Sequence, residues 1–142
     1  MAIAVFDADV LIAYLGRDDA NHTEAVERMR QALTAGTRRL VSVVNYTEVL
    51  IGPLQKAGTS GADRVDAMLV RFGIEVIQID MALARRAAAV RARTRLKLPD
   101  AYALATAVHA EKRGRGDVRL ETFDEEVIRA YTTLHPLPAD LD

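Results

Sequence analysis

The chain has 142 residues, and its composition of 50% hydrophobic and 27% charged residues is typical of an ordinary globular domain. It contains no cysteine, which excludes disulfide bonds, cysteine-ligated metals and a thiol nucleophile. Nineteen basic and twenty acidic residues give a net charge of −1, so the overall charge does not argue for nucleic-acid binding.

The hydrophobic segments are too short for a membrane protein. No apolar run approaches the ~20 residues that a membrane span needs. The amino-terminal apolar run reaches Asp7 before the core of a signal peptide could form. We therefore expect a cytoplasmic protein that does not contact a membrane.

Runs of β-branched and aromatic residues predict the strands, and apolar residues at helical spacing predict the helices. Asp9 should cap the first helix, which should end at Gly16. The second helix should be capped near Asn21 and end at Gly36, and Pro53 should kink the third. The predicted strands cover residues 2–6, 40–44, 74–79 and 118–122, with a last edge strand at 135–137. The predicted helices cover residues 10–15, 23–35, 45–56, 62–72, 81–94, 99–112 and 124–131, with a loop at 58–61 and a turn at 114–116.

The order of these elements predicts the fold class. Strands that alternate with helices form a parallel sheet with helices on both faces. We therefore expect an α/β fold, a three-layer sandwich that forms a single domain over residues 1–142. The second helix should be buried along the face that carries Ala25, Met29, Ala32 and Leu33.

Four acidic residues should lie at the carboxyl edge of this sheet, where open parallel sheets have their functional crevice. Asp7 follows the first strand and Asp124 the fourth, whereas Glu48 and Asp100 lie near the beginning of helices. Each has an ordinary structural explanation, as a helix cap or as a partner of the helix dipole. Together, however, four carboxylates at one edge would repel one another without a cation between them.

The residue types at this edge favour a hard cation. Carboxylate oxygens without cysteine or histidine suit Mg²⁺ or Mn²⁺. His109 lies nine residues after Asp100, about half a helical turn out of phase, so it should face away from the acids. His22 and His135 fall in predicted loops or edges, and we do not expect any of the three histidines to bind the metal.

Four motifs resemble, in order and spacing, the acidic motifs of PIN-domain ribonucleases. More narrowly, the chain is similar to the VapC toxins of bacterial type II toxin–antitoxin systems over nearly its full length. The motifs read VFDADVLI from Val5, TEVL from Thr47, LPDAYALA from Leu98 and TFD from Thr122. No single motif is specific, but four in this order on the expected elements make a strong pattern.

The resemblance implies a metal-dependent endoribonuclease that forms a homodimer and is inhibited by a VapB-like antitoxin. Asp7, Asp100 and Asp124 would bind Mg²⁺ or Mn²⁺ directly or through water, and Glu48 would hold bound water or assist proton transfer. The implied acidic site is therefore Asp7, Glu48, Asp100 and Asp124, with Thr122 in support.

The sequence departs from the family pattern at two positions. Asp9 stands where the family more often has Ser, Thr or Asn, so it could act as a helix cap or as a fifth acid. Glu121 adds a negative charge beside the site.

A run of six basic residues without an acid extends from Arg85 to Lys97. Such a run is either a solvated helix face or a surface that attracts the RNA backbone, which guanidinium groups bind well. The candidate RNA-binding residues are Arg85, Arg86, Arg91, Arg93 and Arg95.

Two other functions fit parts of the sequence. Asp7 and Asp9 resemble the nucleophile loop of haloacid-dehalogenase-like phosphatases, in which Asp7 would be phosphorylated and Asp9 would act as the acid and base. That reading leaves Glu48 unexplained and finds no well-placed lysine among Lys56, Lys97 and Lys112. A partner-binding module without catalysis is the other alternative, with the acids acting only as caps.

An inhibitory partner has two features to recognise. An arginine from the partner could pair with the acids and displace the metal. The helices at 10–15 and 46–54 carry more aliphatic and aromatic side chains than one sheet face can cover, so we expect the partner's apolar contacts there.

Overall fold

The four strands form one parallel sheet, in which β1 is paired on both sides. The computed structural model describes residues 1–114, 117–135 and 137–141. The strands are β1 (Ala2–Phe6), β2 (Thr37–Ser42), β3 (Ile74–Ile77) and β4 (Asp117–Glu121), in the spatial order β3-β2-β1-β4. Because β2 and β4 flank β1, strand order reverses there, as it does at the ligand site of open α/β sheets.

Seven α-helices in the described residues surround the sheet. They are α1 (Ala8–Leu15), α2 (His22–Ala32), α3 (Val43–Ala57), α4 (Thr59–Arg71), α5 (Met81–Thr94), α6 (Leu98–Lys112) and α7 (Glu125–Thr133), followed by a short 3₁₀ helix at Ala139–Leu141. None of the helices described is both long and apolar enough to cross a lipid bilayer.

Alternate residues of β1 face opposite layers, as the pleat of a strand requires. Ala4 and Phe6 pack against a cluster from α1 to α4, whereas Ile3 and Val5 pack against Ala107 and its neighbours on α6. Helices therefore cover both faces of the sheet, which confirms the predicted three-layer α/β sandwich. Most of α6 is buried, consistent with its small and apolar sequence.

The predicted loop at 58–61 is wrong, because α4 begins at Thr59 and only Gly58 separates it from α3. Gly58 has a φ of 59°, a conformation that suits glycine. Gly61 lies so close to α3 that an added Cβ would be 2.1 Å from the carbonyl oxygen of Pro53. These glycines allow two helices to join in a tight corner, and α3 continues through Pro53 to Ala57.

Other differences concern element ends. Leu33 was expected on the buried face of α2, but the helix ends at Ala32 and Leu33 is 41% exposed. β2 begins at Thr37, three residues before the predicted start. Neither His135 nor Leu137 lies in a strand, so the predicted edge strand is wrong at both. Pro136 and residues 115–116 of the predicted turn lie outside the described residues.

Candidate active site at the carboxyl edge of the sheet

Asp7 joins β1 to α1 and is almost completely buried, with 3% of its surface exposed. Its Oδ1 accepts a hydrogen bond from the backbone N–H of Ala8 (2.8 Å), and its Oδ2 accepts one from the Thr122 hydroxyl (2.9 Å). Asp7 is thus the N-cap of α1, the position that the sequence analysis assigned to Asp9. The same carboxylate both begins the helix and faces β4.

Asp9, in the first turn of α1, connects that helix to the segment after β4. Its Oδ2 accepts hydrogen bonds from the backbone N–H of Phe123 (2.9 Å) and from the Thr122 hydroxyl (3.3 Å). Its Oδ1 is buried and has no hydrogen-bond partner among the described residues. An unpartnered buried carboxylate oxygen is costly, and it marks a place where a ligand can act.

Thr122 and Asp124 hold the end of β4 in place. The Thr122 hydroxyl accepts a hydrogen bond from the backbone N–H of Asp124 (3.1 Å) while it faces Asp7 and Asp9. Asp124 caps α7, because its Oδ1 accepts from the backbone N–H of Glu126 (2.9 Å). One of its carboxylate oxygens is therefore used structurally, and the other is available to a ligand.

Glu48 lies in α3, one turn after a fully buried asparagine that the sequence analysis did not single out. The Nδ2 of Asn45 donates to Glu48 Oε1 (3.0 Å) and to the carbonyl oxygen of Pro99 (3.1 Å). Pro99 directly precedes Asp100 in the first turn of α6, so this asparagine connects two of the predicted acids. The spacing of Ser42, Asn45 and Glu48 at three-residue intervals, on one side of a helix, is the sequence signal that could have found it.

The acids act on one another electrostatically. Burial, the neighbouring Asp9 and, more weakly, Asp100 raise the pKa of Asp7 to about 7, against the hydrogen bonds from Thr122 and Ala8. Burial raises the pKa of Asp100 to about 6, with further contributions from Asp124, Glu48 and Asp9. Asp100 therefore interacts with Glu48, Asp124, Asp9 and Asp7, so the four predicted acids and Asp9 lie near one another at this edge of the sheet.

The pKa of Asp9 is also raised, by burial and by Asp124, although its hydrogen bonds oppose the shift. Lys97 lowers the pKa of Asp100, but by less than burial or any of its three acidic neighbours raises it. The site therefore carries an excess of negative charge.

Glu121 does not join the acid cluster as a free charge. It is the last residue of β4, it is buried, and the guanidinium of Arg28 lies 3.8 Å from its carboxylate. Arg28 also lies 5.1 Å from the centre of the Phe123 ring and 3.4 Å from the carbonyl oxygen of Thr122. Glu121 is therefore a structural partner of Arg28 in α2 and not an additional free charge in the acid cluster.

The donor set fits a hard divalent cation such as Mg²⁺ or Mn²⁺. Several carboxylates lie close together here, those near Asp100 repel it, and Asp9 Oδ1 has no hydrogen-bond partner among the described residues. Within the described residues, no three Asp, Glu, His or Cys side chains are already grouped closely enough to hold a metal ion. The carboxylates would therefore have to move towards a cation on binding.

The histidines contact other parts of the chain, and His22, which was predicted in a loop or at an edge, is the first residue of α2. The Nδ1 of His22 is 2.8 Å from the carbonyl oxygen of Ala13, and that of His109 is 2.9 Å from the guanidinium of Arg86. The Nε2 of His135 lies 2.9 Å from a carboxylate oxygen of Glu111, near the other end of α6.

The basic run from Arg85 to Lys97 does not form one uniform surface. Arg86 donates to the carbonyl oxygen of Leu141 (2.9 Å), and Arg93 forms a two-pronged ion pair with Asp140. These two guanidinium groups hold the carboxyl-terminal segment. The remaining members of the candidate RNA-binding set are exposed; they are Arg85, Arg91 and Arg95.

The sequence matches the family model of the PIN domain over residues 4–132. The chain belongs to the PIN-domain family. This result confirms the resemblance seen in the four acidic motifs, and the match covers the positions of all five acids. A search of curated proteins finds no significant match.

Three solved structures share the fold of this PIN-domain chain. A toxin–antitoxin complex from Klebsiella pneumoniae has 29% sequence identity and a TM-score of 0.55, covering 75% of this chain and 78% of that chain. Mycobacterium tuberculosis VapC20, a toxin that cleaves the sarcin–ricin loop, has 18% identity and a TM-score of 0.67, covering 92% and 95%. VapBC2 from Rickettsia felis, bound to a DNA fragment from its promoter, has 12% identity and a TM-score of 0.56, covering 76% and 81%.

Proposed function

We propose that this PIN-domain protein is a divalent-metal-dependent endoribonuclease and the toxin of a toxin–antitoxin pair. The observation that carries the proposal is the cluster of carboxylates around Asp100 at the carboxyl edge of the sheet, in which neighbouring acids raise the pKa values of one another. An arrangement that raises three acid pKa values and leaves one buried oxygen unpartnered is unfavourable for a purely structural site. The family and the similar toxin structures support ribonuclease activity.

Asp7, Asp100 and Asp124 would hold Mg²⁺ or Mn²⁺, with Asp9 beside them. When bound, such an ion activates water and offsets the charge that develops on the phosphate. Thr122 keeps the carboxylates of Asp7 and Asp9 in place through its hydroxyl. The Oε1 of Glu48 is held by Asn45, which leaves its Oε2 to accept a proton from the attacking water.

The RNA backbone would be attracted by basic residues near the acids. α5 and α6 pack against each other and are joined by residues 95–97, so the end of α5 lies beside Asp100. Arg91 and Arg95 are exposed at that end, and Arg85 is exposed farther along the helix. These residues would supply positive charge that offsets the repulsion between the acidic site and phosphate.

The proposal is tested by incubating the purified protein with a single-stranded RNA and a stem-loop RNA. We expect cleavage with Mg²⁺ or Mn²⁺, no cleavage in EDTA, and no cleavage by Asp7→Asn. The matched control is Asp80→Asn, because Asp80 is the N-cap of α5 and asparagine can replace it there. Cleavage that continues in EDTA or in the Asp7→Asn protein would show that the proposal is wrong.

A phosphatase of the haloacid-dehalogenase type is the alternative enzyme. In it Asp7 would attack phosphate and Asp9 would act as the acid and base. That reaction gives no role to Glu48, which lies close enough to Asp100 to raise its pKa. Asp9→Ala should abolish a phosphatase, weaken the nuclease only partly, and leave a non-catalytic binding module able to bind its partner.

The toxin would act on RNA in the cytoplasm and would need an inhibitor of VapB type. Exposed aliphatic side chains of α1 and α3 provide a surface for it, namely Ile12, Ile51 and Leu54. Ile12 and Ile51 line a cavity of about 540 Å³ that also includes Glu48, so an apolar partner segment there would reach the acidic site. An arginine of that partner could then pair with the carboxylates.

Co-expression with the product of whichever gene lies directly upstream tests the partner. We expect a complex that is inactive on RNA, and Ile51→Asp should weaken it. A complex that remains active, or no complex at nanomolar concentration, would contradict inhibition of the site in trans. Light scattering of the toxin alone tests the proposed homodimer.

A further inference from the structure

We propose that Asn45 is a positioning residue for the reaction, which acts by fixing the carboxylate of Glu48 relative to the first turn of α6. This inference rests on the proposed function, because it assigns a role within the same site. Asn45 is fully buried, yet it does not belong to any of the acidic motifs. Its side chain is used entirely for contacts to other polar groups.

The hydrogen bonds around Asn45 fix the orientation of its amide. The backbone N–H of Asn45 donates to the Ser42 hydroxyl oxygen (3.0 Å), so the hydroxyl proton is free to donate to Asn45 Oδ1 (2.7 Å). The Nδ2 then faces two acceptors, Glu48 Oε1 and the Pro99 carbonyl oxygen. Since carboxylates and carbonyls cannot donate, only this orientation satisfies all four contacts.

This arrangement has a specific consequence for Glu48. A glutamate side chain on a helix surface has several rotatable bonds, and its neighbour Asp100 repels it. The amide of Asn45 holds Oε1 with one N–H and uses the other to hold the backbone just before Asp100. Two acids on different helices are thereby kept in register by one neutral side chain.

Aspartate at position 45 provides the sharpest test, because it has nearly the same shape and lacks the N–H donors. In Asn45→Asp the new carboxylate would face Glu48 Oε1 and repel it, while the contact from Ser42 would be kept. In the double variant Asn45→Asp with Glu48→Gln, the glutamine amide can donate to the new aspartate and restore the contact. Asn21→Asp adds the same charge at the exposed cap of α2 and is the matched control.

The first readout is the melting temperature in EDTA, which does not depend on metal or activity. We expect Asn45→Asp to lower it, and we expect most of that loss to disappear in the Glu48→Gln background. The contact to Pro99 is lost in both backgrounds, so it cancels in this comparison. A strictly additive result would overturn the inference, since it would mean that residues 45 and 48 do not interact.

The second readout is RNA cleavage well below the melting temperature. We expect Asn45→Asp to lower kcat by about 10- to 100-fold, with KM within about twofold, as is usual for a residue that orients a group of a metal site. Asn21→Asp should behave as wild type. If Asn45→Asp cleaves RNA as fast as Asn21→Asp, the positioning role is wrong.

Failure of the proposed function would be recognised separately. If the wild-type protein itself neither cleaves RNA nor gains thermal stability with Mn²⁺, the nuclease proposal fails. The link between Asn45 and Glu48 is then judged by the melting temperatures alone, where non-additivity supports it and additivity overturns it.

Discussion

The two ends of α6 place a carboxylate in opposite electrostatic environments. Asp100, in the first turn, has three acidic neighbours that raise its pKa. Glu111, near the last turn, accepts hydrogen bonds from the Tyr131 hydroxyl and from the ring of His135. Burial and the hydrogen bond to Glu111 raise the pKa of Tyr131, and the hydrogen bond to Glu111 raises the pKa of His135. The carboxylate at the amino end of α6 is therefore repelled by its neighbours, whereas the carboxylate near the carboxyl end is hydrogen-bonded by its neighbours.

This difference shows how to separate function from structure on a single element. The helix dipole would favour an acid at the amino end and disfavour one at the carboxyl end. The local partners reverse that preference, because Glu111 accepts hydrogen bonds from two side chains whereas Asp100 is placed among like charges. Natural proteins retain such conflicts mainly at functional sites.

The largest expected effect is on catalysis. We expect Asp100→Asn and Glu111→Gln, which each remove one charge from one end of α6, to differ strongly in an RNA-cleavage assay with Mn²⁺. Asp100→Asn should reduce the rate to the background of the buffer, because a metal-binding carboxylate is lost. Glu111→Gln should cleave at a rate within about twofold of wild type, since its partners are structural. Equal losses would contradict the assignment of the site to one end.

The next effect is the dependence of stability on pH in EDTA. Folding raises the pKa of Asp7 from 3.8 to about 7, so between these values the folded protein binds more protons than the unfolded chain. The free energy of unfolding should therefore fall as pH rises from about 4 to 7, by on the order of 3 kcal/mol from this group. Urea unfolding of wild type and Asp7→Asn should show this fall in wild type and a smaller one in the variant. A steeper fall in Asp7→Asn would contradict the electrostatic interpretation.

A smaller effect is expected on the melting temperature at pH 7 in EDTA. Asp100→Asn should raise it by about 5 °C, because relief of repulsion contributes on the order of 1 to 2 kcal/mol after allowance for solvent screening and the lost helix-dipole contact. Glu111→Gln should lower it by a few degrees, since the partners of the carboxylate lose a charged acceptor. Added Mg²⁺ should stabilise wild type more than Asp100→Asn. A lower melting temperature for both variants would mean that Asp100 is only a helix cap.

The smallest effect concerns the basic residues of α5. Arg95 lies beside the acidic end of α6, whereas Arg85 lies about 15 Å farther along the helix axis, from the rise per residue of an α-helix. Arg95→Gln should weaken RNA binding at low salt by about two- to fivefold, and Arg85→Gln by less. Filter binding at two salt concentrations measures both. Equal effects would show that the basic run acts as a general charge rather than through its position.

Much of the site could be predicted because parallel strands end at the same edge. Asp7 and Asp124 follow strands, and Asp100 begins a buried helix, so their convergence follows from the α/β pattern. The role of Asp9 could not be predicted, because it is decided by Thr122 and Phe123, which are more than a hundred residues away in the sequence. Local spacing favoured Asp9 as the cap, but α1 begins at Ala8, and Asp7 is the cap because it accepts from the Ala8 N–H.

Element ends were harder to predict than elements. The Gly-rich stretch at 58–61 has the composition of a loop, but Gly61 is needed for close contact with Pro53 and lies inside a helix. The basic run was ambiguous because its sequence fits either an RNA-binding surface or a solvated helix face. Hydrophobic periodicity cannot show that Arg86 and Arg93 instead hold the carboxyl-terminal segment.

The Thr122 hydroxyl carries one proton. The hydroxyl lies within hydrogen-bond distance of Oδ2 of both Asp7 and Asp9, but it can donate to only one of them at a time. Rotation of the hydroxyl moves the proton from one aspartate to the other. Whichever aspartate receives it, Oδ1 of Asp9 stays without a hydrogen-bond partner among the described residues, and that place is open to a cation or a water molecule.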